Sequence, residues 1–122
     1  MTMALTSDVE ICSASDHPTR PPVTVLDMAT AQRMAQWLAF LADPNRLRIL
    51  SILATGPHCV GDLVNLLQMS QSAVSHQLRT LRAMGVVQGQ RQGRHVIYRL
   101  HDDHVLTIYE TVRQHLRELN LI

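Results

Sequence analysis

Helix-stopping residues recur along this sequence at intervals too short for any long central element. Asp43-Pro44, Gly56-Pro57, Ser70, Gly85 and Gly93 divide the stretch from Met28 to Leu119 into short pieces, each with its own apolar period. Apolar residues at Met28, Ala31, Met34, Ala35, Leu38 and Leu41 follow helical spacing. Asp43 is then an N-cap and Pro44 the first residue of a second helix, whose expected buried stripe is Leu47, Leu50, Ile52 and Leu53. A short helix is predicted over about residues 60–67, burying Leu63, Val64 and Leu67. Ser70 caps another over about 71–84, with Val74, Leu78 and Leu81 inward, and Gly85 ends it. Val86-Val87 and His95-Val96-Ile97-Tyr98 read as strands, joined through Gln90–Arg94, where Gly93 suits a tight turn. The last helix spans about 102–119. The pattern is mainly α with a β-hairpin: two helices around a three-residue turn, followed by a wing, a winged helix-turn-helix. Residues 1–25, with Pro18, Pro21 and Pro22, read as a flexible N-terminal arm, and residues 26–122 as the winged helix-turn-helix domain.

Composition narrows the class. The chain has 122 residues, enough for one small domain. Apolar residues make up 46%, but only Trp37, Phe40, Tyr98 and Tyr109 are aromatic, so the core must be aliphatic. No apolar run is long enough for a membrane span, and the first ten residues lack the pattern of a secretory signal. Two cysteines, Cys12 and Cys59, do not make a disulfide scaffold, which points to a reduced, cytoplasmic setting.

Charge is distributed unevenly behind a net value of only +1. No carboxylate occurs between Asp62 and Asp102, an interval that holds Arg79, Arg82, Arg91, Arg94 and Arg99. A basic segment free of acids suits a polyanion. With Val74, Leu78 and Leu81 inward, Gln71, Ser72, Ser75, His76 and Arg79 are the residues available to base edges and phosphates, and Arg91 and Arg94 sit near the hairpin tip. The ordinary alternative is an amphipathic helix with a solvated polar face.

The last helix carries Asp102, His104, His115 and Glu118, all competent Zn²⁺ ligands. His104 and His115 lie roughly 16 Å apart along a helix at about 1.5 Å per residue, so one helix cannot close a cage around one ion. Two antiparallel copies can, with Asp102 and His104 of one chain meeting His115 and Glu118 of the other. The wide apolar stripe Val105, Leu106, Ile108, Tyr109, Val112, Leu116 and Leu119 also suggests burial against a second copy. Taken singly, the four ligands have common roles: a cap, two surface histidines and an ion-paired glutamate. A second set combines Cys59 and Asp62, with His58 adjacent, and Cys12 and His17 from the arm. On the residues alone Cys59 reads first as a small buried residue and Cys12 as an incidental thiol in a tail; a further alternative makes Cys59 with Cys12 a thiol redox sensor controlling DNA binding. An enzyme is not expected, since four protein ligands leave a zinc ion no open position.

Four blocks in order then become recognisable: Leu41-Ala42-Asp43-Pro44-Asn45-Arg46-Leu47-Arg48-Ile49-Leu50, Cys59-Val60-Gly61-Asp62-Leu63, Ser72-Ala73-Val74-Ser75-His76-Gln77-Leu78-Arg79 and Gln92-Gly93-Arg94-His95-Val96-Ile97-Tyr98. Across about residues 28–119 the chain resembles the ArsR/SmtB family of metal-sensing repressors, most of all the cyanobacterial SmtB-type zinc sensors. The resemblance implies a homodimer that binds an inverted-repeat operator in double-stranded DNA when metal-free and is released by Zn²⁺, with Co²⁺ or Cd²⁺ as substitutes. It implies a regulatory site of Asp102, His104, His115 and Glu118 between chains. It also implies a second site from Cys12, His17, Cys59 and Asp62. Members that sense softer metals carry Cys-Val-Cys where this chain has Cys59-Val60-Gly61, which weakens a thiolate-rich site here.

Overall fold

Four of the five α-helices begin where a short polar side chain can satisfy an orphan backbone N–H. The computed structural model describes residues 11–16 and 19–122. Asp27 opens α1 (Met28–Leu41) by accepting from the Thr30 N–H at 3.0 Å and the Thr30 hydroxyl at 2.7 Å. Asp43 opens α2 (Pro44–Leu53) by accepting from the Arg46 N–H at 3.0 Å, with Pro44 in the first turn. The two-residue strand β1 (His58–Cys59) leads directly into α3 (Val60–Leu67). Ser70 caps α4 (Gln71–Ala83) through the Ala73 N–H at 3.2 Å. Strands β2 (Val87–Gln92) and β3 (His95–Leu100) follow, then α5 (Asp103–Glu118), where Asp102 accepts from the Val105 N–H at 3.2 Å. A 3₁₀ turn at Ala14–Asp16 precedes α1.

The turn between α3 and α4 passes through Gln68 in the left-handed region (φ 56), where glycine is usual. Its side-chain amide donates to the Asn65 carbonyl at 2.7 Å, which ties down the turn and satisfies one late carbonyl of α3. Gly85 supplies the positive φ that ends α4 and sends the chain into the wing.

The hairpin is longer than its apolar residues suggest. The ladder runs from Val87↔Leu100 to Gln92↔His95, which leaves Gly93 and Arg94 as a two-residue turn. Backbone pairing carries the polar segment Gln88–Gln92 that the hydrophobic pattern read as largely loop. At Gly89↔Tyr98 the tyrosine ring lies over the glycine, and a Cβ there would sit 2.9 Å from the ring. β1 pairs with β3 through His58↔Tyr98 and Cys59↔Ile97, giving the sheet order β1-β3-β2. This third strand was not expected from the sequence.

The core sits among α2, α3, α4 and the base of the wing. Ile49, Leu50, Leu63, Val74, Leu78, Leu81 and Val86 are wholly buried. The expected stripe of α2 needs correction. Leu47 is 42% exposed and Ile52 half-buried, while Ile49 takes the inward position. Five apolar residues within seven positions leave the period ambiguous, and packing selects Ile49, Leu50 and Leu53. Val64 of α3 is also only half-buried. Helices α1 and α5 contribute little to this core, with Leu41 and Val105 as their buried residues. Among the described residues, no helix is long and apolar enough to cross a membrane.

Candidate functional site

Helix α4 is anchored by Val74, Leu78 and Leu81, and at 3.6 residues per turn its opposite side falls on Ser72, His76 and Arg79. Those three and Gln71 are exposed, while Ser75 is half-buried on the flank. The Ser72 hydroxyl lies 3.3 Å from that of Ser70 beside the first turn of α4. Arg94 occupies the wing's turn. Arg91, on β2, bends over it, its Nε donating to the Gly93 carbonyl at 3.4 Å. The outer side of α4 and the wing therefore present exposed arginines, hydroxyls and an imidazole.

On α5 the four metal-ligand candidates lie on the flank of an uncovered apolar stripe. His104 and His115 are three turns apart and nearly in line, with Glu118 one turn beyond. Next to them around the helix run Ile108, Val112 and Leu119, and Val112 is 54% exposed. Asp102 and His104 are brought together, with Asp102 Oδ2 at 3.5 Å from His104 Nδ1. Desolvation works against ionisation of Asp102. Hydrogen bonds from the Val105 N–H and from His104, with the charge of His104, outweigh it and hold the carboxyl below its usual range. At the far end Glu118 Oε1 accepts from the Gln114 amide at 3.2 Å. Among the described residues, no three His, Cys, Asp or Glu side chains converge within one chain. The donor types, two imidazoles and two carboxylates, are ones that suit Zn²⁺.

Leu47 takes its meaning from the same region. With Leu41, Ile108, Val112 and Leu116 it lines an apolar groove of about 320 Å³ between α2 and α5. Its exposure belongs to that uncovered face.

The second candidate set is spread out. Cys59 is the N-cap of α3 but makes no side-chain capping bond, and it faces a groove shared with Gln71, Arg94 and His95. Asp62 is exposed in the first turn of α3, and Cys12 is exposed ahead of α1. His17 lies outside the described residues. His58 uses Nδ1 to donate to the Gly56 carbonyl at 2.7 Å, leaving only Nε2 for other chemistry. Because Cys59 pairs with Ile97, this set is attached to the wing by backbone hydrogen bonds.

The family profile described as "Bacterial regulatory protein, arsR family" matches residues 43–88, which span α2 to the start of the wing. The "Transcriptional repressor SmtB homolog" of Synechocystis is 48% identical over 99 residues, covering 81% of this chain and 74% of that protein. This chain belongs to the ArsR/SmtB family. Within that family, the HTH-type transcriptional regulator NmtR of Mycobacterium tuberculosis is 45% identical over 100 residues, covering 82% of this chain and 83% of NmtR. The solution structure of apo-NmtR superposes with a TM-score of 0.72 at 44% identity, covering 84% of this chain and 87% of that one. A homodimeric winged helix-turn-helix DNA-binding domain from Mycobacterium bovis, a possible ArsR-family regulator, superposes with a TM-score of 0.69 at 28% identity, covering 74% and 83%. As an ArsR/SmtB protein the chain is a DNA-binding transcriptional regulator, and its winged helix-turn-helix is the DNA-binding unit.

Proposed function

We propose that this regulator is a zinc-responsive repressor, a cytoplasmic homodimer that holds an inverted-repeat operator when metal-free and lets go when zinc binds. The observation that carries the reading is the placement of Asp102, His104, His115 and Glu118 along one flank of an α5 whose neighbouring apolar stripe is uncovered. Asp102 and His104 would bind from one chain, and His115 and Glu118 from its antiparallel twin. Zinc, when bound, supplies a rigid tie between the two α5 helices. Asp102 is suited to this because one oxygen holds the Val105 N–H and fixes the helix start while the other already faces His104. Gln71, Ser72, Ser75, His76 and Arg79 would enter the major groove, with Arg91 and Arg94 on the flanking backbone. Cys59 and Asp62, with Cys12 and His17, would form a second site. Its support is a Cys59 thiol that its own helix does not use.

Coupling between metal and DNA is a difference in zinc affinity between free and DNA-bound dimer, typically about 1–3 kcal/mol in allosteric proteins. In a titration against the DNA upstream of its own gene, the wild type should bind without zinc and dissociate with it. His104→Ala and His115→Ala should bind normally without zinc and fail to dissociate on its addition. Normal release by both variants would remove α5 from the mechanism.

A further inference from the structure

We propose that Trp37 and Arg46 are positioning residues for DNA binding, locking recognition helix α4 to α1 at two points. Trp37 is half-buried, and its indole N–H donates to the carbonyl of Met84, the C-cap of α4, at 3.0 Å. That carbonyl belongs to the last turn of a helix, where backbone acceptors lack intrahelical partners. Arg46 works from the start of α2. Its Nε donates to Gln77 Oε1 at 3.1 Å, its Nη1 donates to the Phe40 carbonyl, and its guanidinium lies 3.8 Å from the centre of the Phe40 ring. Only arginine combines a planar fork with stacking in this way.

Spacing gives the pair its effect. Gln77 and Met84 are seven residues apart on α4, roughly 10 Å at about 1.5 Å per residue. A helix held at one point can pivot, whereas a helix held at two points two turns apart keeps its heading. On α1 the attachment residues Trp37 and Phe40 are i, i+3 and share one face. The adjacent face carries Met34 and Leu38, each 52% exposed. Helix α1 thus presents one side to α4 and another to whatever covers that apolar surface. Gln77 turns toward Arg46, away from the side holding Ser72, His76 and Arg79, so it serves orientation and leaves base contact to them.

The proposal rests on the DNA-binding reading above. The wild-type titration tests that reading, and the ratio of variant to wild type tests this one. Trp37→Phe keeps the ring and removes the donor. Gln77→Met keeps the length and removes the acceptor. The double variant should lose about tenfold in affinity for the upstream duplex and little for a shuffled duplex of equal length. Its slope of log affinity against log salt should match the wild type, because no phosphate contact is removed. Melting midpoint and dimer dissociation constant should stay near wild type. Unchanged affinity for the upstream duplex would overturn the proposal. So would equal losses on both duplexes accompanied by a lowered melting midpoint, the mark of a merely structural role. A second measurement needs no variant. Trp37 is the sole tryptophan, so the chain has one indole N–H resonance. That proton should exchange slowly with water in the free dimer and in the DNA complex, and fast exchange in either would overturn the proposal.

Discussion

Helices α2, α3 and α4 with the wing base supply most of the buried core, whereas α1 and α5 bury one residue each and leave apolar faces open. In the first region seven aliphatic side chains are wholly buried, and they come from three helices and the start of the wing. In the second, two long helices bury Leu41 and Val105 and leave Met34, Leu38, Ile108, Val112 and Leu119 substantially open. Apolar surface of that extent is stable in water when a second surface meets it. The difference sets a packed reading head, whose heading α1 holds, beside two helices whose open faces meet a second chain in the proposed dimer, where the metal-ligand candidates also lie.

Substitution in the packed region should cost most. Leu78→Ala removes a wholly buried side chain and should lower stability by about 2–5 kcal/mol, read as a fall in the urea midpoint. Val112→Asp tests the other region. Burying an unpaired carboxylate in an interface costs about 3 kcal/mol or more, which corresponds to a roughly 100-fold weaker dimer in sedimentation equilibrium. A dimer of unchanged strength would break the division drawn here, because α5 would then be merely a solvated helix. Ser70→Ala removes the cap of α4 and should cost about 1 kcal/mol in thermal unfolding while leaving dimerisation alone.

Acid should separate the regions more gently. Asp27 and Asp102 start α1 and α5, and both carboxyls are held below their usual range, Asp27 mainly by the Thr30 hydroxyl and N–H. A lowered folded value means that the contribution is complete above the ordinary carboxylate value, about 3.9. It is lost as pH falls through the lower folded value. Helices α1 and α5 should therefore fray below about pH 4 ahead of α4, whose cap is a serine, as read by residue-resolved amide exchange. Simultaneous fraying of all three would remove this distinction.

The legible parts of the fold are those fixed by neighbours in sequence. Asp43-Pro44, Ser70 and Gly85 mark helix ends through local hydrogen bonding and backbone preference, and the structure places the ends there. The inward face of α2 was not legible, because Leu47 and Ile49 fit the helical period equally well until packing chooses between them. β1 was invisible because two residues carry no period. The donors on α5 stand out by spacing alone, since a helix turns predictably. Trp37 and Arg46 could not be found that way, as their partners lie 47 and 31 residues away and are set only by tertiary packing.

Cys59 ends β1 and is also the N-cap of α3. A single peptide therefore closes a strand and launches a helix, with no slack between them. Inserting one residue between positions 57 and 60 would either reverse which side of the sheet each strand residue faces or rotate α3 by about 100°. Extra residues at the hairpin turn would disturb neither, so length variation among related chains is expected at Gly93-Arg94 and is forbidden at this junction.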